Sequence, residues 1–260
     1  MLKITDAVIL MAGAGSRLRA SGEVVPKPLV PVLQRPLISY VLDCLAHAGI
    51  QNLHAVVGAE SEHLIVGLEP LISEPMRLHP IENPHWQKQN GVSLLSTEEH
   101  VTAPFLLLMA DHLFEYAVVN VLLQQAERDL LNLAIDRKLN SIFDLEDAMK
   151  VQTNDKYVVA IGKDLATYDA IDTGVFLCPA EIFTYLKFAC REGDCSLADG
   201  VQLMAADNKV RAIDIGDAWW QDIDTDAMLA HAEEELLARA RRSETAAFSS
   251  KADERLAGEP

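Results

Sequence analysis

An α/β fold is what this sequence predicts: a Rossmann-like, mostly parallel but mixed sheet, flanked by helices and carrying an inserted β-hairpin. Three observations lead there. Short apolar runs alternate with segments of helical period through the first half of the chain. The first of those runs ends in a glycine-rich turn, and near residue 150 a polar turn between β-branched arms interrupts the alternation. With 260 residues, 50% of them hydrophobic, the chain can bury a full core in one domain with at most a small appendage.

Taken in order, Ala7 to Met11 reads as a buried strand. Leu37, Val41, Leu45 and Ala48 share one stripe of a helix over 37–48, and Gly49 is suited to close it. The alternation continues with a strand at 53–57, a helix over 60–71, a strand at 77–81, a helix over 92–99 and a strand at 105–110. A helix over 117–128 and the apolar run Leu130 to Asp136 follow. Ala148 to Val151 and Tyr157 to Ile161, separated by Thr153-Asn154-Asp155-Lys156, form the hairpin, an antiparallel element within a parallel sheet. From Asp226 to Arg242 the chain predicts an amphipathic helix with Leu229, Leu236 and Leu237 on its apolar side and Glu233-Glu234-Glu235 on a solvated face. Residues 243–260 hold few core formers and are predicted to be disordered. The organisation is therefore one domain over 1–227, a C-terminal helix over 228–242 and a tail over 243–260.

A formal net charge of −17 argues against nucleic-acid binding, because a polyanion requires a basic face. No apolar run is long enough to cross a bilayer, and the segment after Met1 lacks the uninterrupted core of a signal peptide, so a cytoplasmic protein without membrane insertion is expected. The four cysteines, Cys44, Cys178, Cys190 and Cys195, form no C-x-x-C pair and read as buried thiols.

Chemistry concentrates where two strands end. Gly13-Ala14-Gly15-Ser16-Arg17 follows the first strand, where backbone N–H groups at a helix start can cradle phosphate oxygens. Neither common nucleotide loop fits. Leu18 stands where a dinucleotide fingerprint needs a third glycine, and Ser16-Arg17 does not supply the Lys-Ser/Thr of a P-loop. In Pro26-Lys27-Pro28-Leu29 the prolines hold Lys27 on extended backbone, from which an ammonium can steady the charge that grows on an α-phosphate. Asp111 closes the strand Phe105 to Ala110. It is either a turn former or, with Asp224 as second carboxylate, one half of a Mg²⁺ site, since this ion takes one or two carboxylates plus substrate phosphates. His112 reads as a turn or supporting histidine, and Asp222 projects as Asp224 does. Asn90-Gly91-Val92-Ser93 is either an ordinary helix start or an amide, backbone and hydroxyl set that reads a pyrimidine edge. In Asp172-Thr173-Gly174 two side chains can bond polyol hydroxyls while the glycine permits close approach. Lys150 and Lys163 are either surface lysines or partners of an acceptor phosphate. Trp219-Trp220 reads as packing.

The segments Leu10-Met11-Ala12-Gly13-Ala14-Gly15-Ser16-Arg17 and Pro26-Lys27-Pro28-Leu29 resemble the signature of the nucleotidyltransferases that activate phosphorylated sugars and alcohols, with Met11 in place of a family alanine. Asn90-Gly91-Val92-Ser93, Met109-Ala110-Asp111-His112, Asp172-Thr173-Gly174 and Trp220-Gln221-Asp222-Ile223-Asp224 extend the likeness across residues 6–227, most of all to the CTP:inositol-1-phosphate cytidylyltransferases. The resemblance implies a nucleotide-diphospho-sugar transferase fold and transfer of CMP from CTP to a small phosphorylated polyol. It further implies Mg²⁺ on Asp111 and Asp224, catalytic roles for Lys27 and Arg17, and a nucleotide held by residues 11–16 (Met11, Ala12, Gly13, Ala14, Gly15, Ser16) with Asn90, Gly91 and Ser93. The acceptor would meet Lys150, Lys163, Asp172, Thr173 and Gly174, and a homodimer is the implied assembly. A phosphonate or phosphocholine acceptor, or a nucleotide-binding regulator without catalysis, are the competing readings.

Overall fold

In the computed structural model, residues 2–12, 25–59 and 61–257 are described, with side chains through Arg242. The elements run β1 (Asp6–Leu10), β2 (Pro31–Val32), β3 (Arg35–Pro36), α1 (Leu37–Ala48), β4 (Asn52–Val57), α2 (Glu62–Leu68), β5 (Arg77–Glu82), α3 (Asn90–Leu95), β6 (Phe105–Met109), β7 (His112–Phe114) and α4 (Tyr116–Gln125). They continue as β8 (Leu131–Asp136), β9 (Lys150–Asn154), β10 (Tyr157–Gly162), β11 (Ala170–Cys178), α5 (Ile182–Ala189), α6 (Leu197–Ala206), β12 (Val210–Asp214), β13 (Trp220–Asp222) and α7 (Asp226–Ala257).

Nine strands form one mixed sheet in the order β5-β4-β1-β6-β11-β8-β12-β10-β9. The first four are mutually parallel, β11 runs against both of its main neighbours, and β12 lies parallel to β8. Helices cover both faces, which is why the strands read as uninterrupted apolar runs. Side chains alternate across the pleat: Ala7, Ile9 and Met11 enter the core shared with α1, α2 and α4, while Val8, Leu10 and Ala12 enter the one shared with α3, α5 and α6. Phe105 and Leu107 point with the second set, and Leu106 and Leu108 with the first.

The first helix closes as its sequence predicts. Gly49 takes φ +79°, and Ile50 N donates to Leu45 O at 3.1 Å. Other elements end earlier than their apolar period suggests, each for a local reason. Pro70 lacks the N–H that would continue α2, which passes into a 3₁₀ turn at Glu69–Leu71. The Ser96 and Thr97 hydroxyls donate to the carbonyls of Ser93 and Leu94 and stop α3 at Leu95, short of the expected 99. The hairpin turn tightens to Asp155-Lys156, with Asp155 at φ +54°, and β9–β10 forms one edge of the sheet. The C-terminal helix continues past Arg242 to Ala257, through residues predicted to be disordered, because the chain meets neither glycine nor proline before Gly258. Its buried stripe is Met228 and Ala232, with Leu229 and Leu236 partly buried beside it; Leu237 is exposed rather than apolar-facing. Nor is the acidic triplet merely solvated, since Glu233 accepts from Leu33 N and Glu235 pairs with Arg239 and Arg242. Among the described residues, no helix is long and apolar enough to cross a membrane.

Candidate active site

Parallel strands deliver their successors to one end of the sheet, and β1 and β6 are neighbours there. Asp111 follows β6 directly. Asp224 arrives by a second route, in which β13 pairs antiparallel with β7 in the register Asp222↔His112 and Ile223 N donates to Asp111 O at 2.8 Å. Lys27 begins a 3₁₀ turn set between Pro26 and Pro28. That turn is seated on α2, where a Cβ on Gly67 would come within 2.5 Å of Leu29 Cδ1. Three stretches far apart in the chain thus converge: Lys27 Nζ donates to Asp111 Oδ2 at 2.8 Å and to Asp224 Oδ1 at 2.5 Å.

The free oxygen of Asp111 is also held. His112 Nδ1 lies 2.7 Å from Asp111 Oδ1, and its ring stacks on Trp220 at a centroid distance of 5.8 Å. Gly174, at φ +73° in a bulge of β11, provides the seat, since a Cβ there would stand 2.6 Å from His112 Cδ2. The glycine allows a close approach, as the sequence suggests, but to the histidine. Burial opposes every charge in this group, and the partners outweigh it for three of them. His112 and Lys27 hold the Asp111 carboxyl far below its ordinary value; Asp111, with Asp222 and Asp172 beyond it, raises His112; the two aspartates raise Lys27. Burial wins at Asp172, which rises to about 6 despite the hydrogen bond from Gly174 N and the nearby His112. It also raises Asp222, helped by Asp224 and Asp111.

Beside this cluster opens a cavity of about 200 Å³. Asn90, Lys163, Asp172, Gly174 and Asp224 of the predicted set line it, with Asp147, His112 and Asp222. The structure reassigns several others. Lys150 is buried and donates to the carbonyls of Glu146, Ala148 and Lys163, so its ammonium ties the loop before β9 to the end of β10 instead of meeting an acceptor phosphate. Thr173 is buried and donates to Ala134 O within the sheet, and it is not among the residues that line the cavity. Ser93 accepts from Asn83 Nδ2, and a Cβ on Gly91 would come within 2.7 Å of the carbonyl oxygens of Cys195 and Ser196, so both serve packing. Asn90 uses its side-chain oxygen to accept from Leu197 N, which joins the starts of α3 and α6. Met11 and Ala12 are buried at the end of β1, and Met11 N donates to Val56 O. Gly13, Ala14, Gly15, Ser16 and Arg17 lie outside the described residues.

Sequence reasoning missed the wall built by α6. Leu197, Ala198 and Val201 line the cavity there, and the Ser196–Asp199 capping box that starts the helix was a visible signal. Among the described residues no cluster of three or more His, Cys, Asp or Glu side chains has metal-ligand spacing. What is present is a pair of carboxylates that clasps one cation, the Lys27 ammonium. Such a pair suits an ion that takes its remaining ligands from water and phosphate.

A mixed α/β sheet that gathers a lysine and two aspartates at the carboxyl ends of its parallel strands defines the nucleotide-diphospho-sugar transferase fold. The chain belongs to the family of MobA-like NTP transferase domains, which it matches over residues 7–140. It is 28% identical over 222 residues to the "Bifunctional IPC transferase and DIPP synthase" of Aquifex aeolicus, covering 85% of this chain and 49% of that protein. To the protein of the same name from Thermococcus kodakarensis it is 32% identical over 226 residues, covering 84% and 48%. The chain thus spans about half the length of the curated relatives it matches. Among solved structures, the inositol-1-phosphate CTP transferase of T. maritima superposes with a TM-score of 0.80 at 26% identity, covering 89% of this chain and 94% of that one.

Proposed function

We propose that this chain is a Mg²⁺-dependent cytidylyltransferase that moves CMP from CTP to inositol 1-phosphate, giving a CDP-alcohol and pyrophosphate. The observation that carries the reading is the meeting of Lys27, Asp111 and Asp224 beside a polar cavity. The likeness to a structure named as an inositol-1-phosphate CTP transferase, along 94% of that chain, supports this choice of substrates.

An acceptor phosphate oxygen is already ionised at neutral pH and attacks the α-phosphorus of CTP in line, so the site needs no side-chain nucleophile; its work is positioning and charge neutralisation. Lys163, just past β10, and Asp172, on β11, both line the cavity and suit the phosphate and a hydroxyl of the polyol. Lys27 steadies the charge that grows on the α-phosphate. Arg17 and the glycine loop take the leaving pyrophosphate, the role that their sequence motif implies. Asp111 and Asp224 would hold Mg²⁺, which supplies the positive charge that a triphosphate needs beside so many carboxylates. His112 fixes the rotation of Asp111 and leaves its other oxygen to the cation. The proposed reaction would run in the cytoplasm, the compartment expected from the sequence.

The test is incubation with CTP, Mg²⁺ and inositol 1-phosphate, following pyrophosphate and the CDP-alcohol, with UTP, ATP, phosphocholine and a phosphonate in parallel. Release of pyrophosphate only with CTP and the inositol phosphate is expected. CTP binding without pyrophosphate release from any acceptor would replace catalysis by a sensing role.

A further inference from the structure

Between α5 and α6 the chain makes a small hairpin. Arg191 and Asp194 exchange both backbone hydrogen bonds, each at 2.9 Å, around Glu192 (φ +53°) and Gly193 (φ +78°), a two-residue turn of the twist that hairpins favour. In an antiparallel ladder the pair next to a hydrogen-bonded one is non-hydrogen-bonded, where side chains approach most closely. That pair is Cys190 and Cys195, and their sulfurs are 3.0 Å apart. Cys190 is half-buried, contrary to the buried reading, whereas Cys195 is buried as expected. The hairpin is also a wall of the candidate nucleotide segment. Lys88 Nζ donates to Gly193 O, Gln89 N donates to Asp194 Oδ1, and Gly91 rests on Cys195 O.

We propose that Cys190 and Cys195 form a reversible disulfide, a redox staple across the hairpin on which residues 88–91 rest. The oxidant is a low-molecular-weight disulfide. The Cys190 thiolate attacks one of its sulfurs and expels a small thiolate, and Cys195 then attacks Cys190 Sγ and expels the second, its own proton passing to a leaving thiolate. Two protein thiols and one small disulfide become one protein disulfide and two small thiols. Burial, contact with Cys190 and the nearby Asp199 and Asp194 push the Cys195 thiol up to about 12, which leaves Cys190 as the attacking group. Cys44 and Cys178 lie buried in the two main cores.

The full chain would be incubated with oxidised glutathione and examined by intact mass and by non-reducing tryptic mapping, in which cleavage after Arg191 separates the two cysteines. The expected result is loss of two hydrogens, two peptides joined through Cys190 and Cys195, and a melting temperature raised by a few degrees, all reversed by dithiothreitol. Cys195→Ser should stop at a glutathione adduct on Cys190, and Cys190→Ser should not react. Free thiols throughout, a lasting adduct on the parent chain, or a disulfide that leaves the melting temperature unchanged would overturn the proposal.

Discussion

Replacing Lys27 with Met removes an ammonium that bonds both site carboxylates while keeping the volume of its stem. Its side chain is 14% exposed, against 33% for Asp111 and 30% for Asp224, so the group lies between the surface and interior cases. Exposed pairs contribute about 0–1 kcal/mol, whereas stripping one partner from a buried pair costs about 3–5 kcal/mol. A loss of about 1–3 kcal/mol follows, or roughly 2–10 °C in melting temperature for a chain of this size. Without that ammonium the two carboxylates lose one positive neighbour, and the site's demand for another cation rises. Thermal unfolding across a Mg²⁺ series is the assay: the variant should recover part of its loss with added Mg²⁺, while the parent, whose carboxylates are already engaged, gains less. Turnover should fall at least tenfold, and by about 10²–10³ if Lys27 faces the developing charge as an oxyanion donor does. Unchanged turnover, or the same response to Mg²⁺ in both proteins, would refute the reasoning.

Asp172→Asn should raise the acceptor KM by about tenfold or more, the cost of losing a charged acceptor of hydrogen bonds. It should also stabilise the fold. The buried carboxyl rises to about 6, so its charge weakens the folded state above that pH, and the gain in melting temperature should be present near pH 8 and vanish below the unfolded value of 3.8. Gly174→Ala, with a Cβ directed at His112 and a positive φ, should destabilise by about 1–3 kcal/mol and lower kcat, read by denaturant melts and initial rates. Lys150→Met should lower the melting temperature while leaving the acceptor KM within about twofold, because its three bonds go to carbonyls rather than into the cavity. Two further groups should draw the melting temperature down with acid, against the opposite pull of His112, Asp172 and Asp222. Burial depresses His54 despite its bond to Asp6, so the stability of its neutral form is present above pH 6.5 and lost below it. Asp6 is opposed by burial but lowered by bonds from Thr5, His54, Asn52 and Thr102, so its contribution is present above pH 3.8 and lost as the pH drops further. The difference in melting temperature between the parent and His54→Gln should change as the pH falls below 6.5; a difference that stays constant through that range would refute the assignment.

Legibility in the sequence followed the range of the forces involved. Strands covered on both faces announce themselves as apolar runs, and α1 by its stripe and Gly49, because these patterns are local. Lys27, Asp111 and Asp224 were legible as chemistry at strand ends and turns, although the bond that joins them spans 197 residues. What stayed hidden depends on tertiary pairing. The nine residues of β11 run antiparallel through the middle of the sheet, and the three-residue strands β7 and β13 exist only as each other's partners. Lys150 and Thr173 carry the right functional groups in the right neighbourhood, yet a two-residue period cannot tell whether a buried polar atom meets a ligand or a carbonyl.

The geometry of the site is set outside the two main cores. Val30 and Val32, just past Lys27, pack with Leu37, Leu113 and Ile223 against Ala232 of α7, with Leu229 and Leu236 at the edge. Leu113 lies two residues after Asp111, and Ile223 immediately precedes Asp224. One small apolar cluster therefore joins the lysine segment, the ribbon of both aspartates and the C-terminal helix, and Glu233 adds its bond to Leu33 N. Charge alone would not hold two partly exposed carboxylates on one ammonium, at 2.8 and 2.5 Å, since water competes for each of them. Packing supplies the precision, and a methylene more or less in that cluster is felt as a displacement where the phosphates must lie. The same logic gives α7 its place in the molecule: through Leu229, Ala232 and Leu236 it is a clamp behind the site.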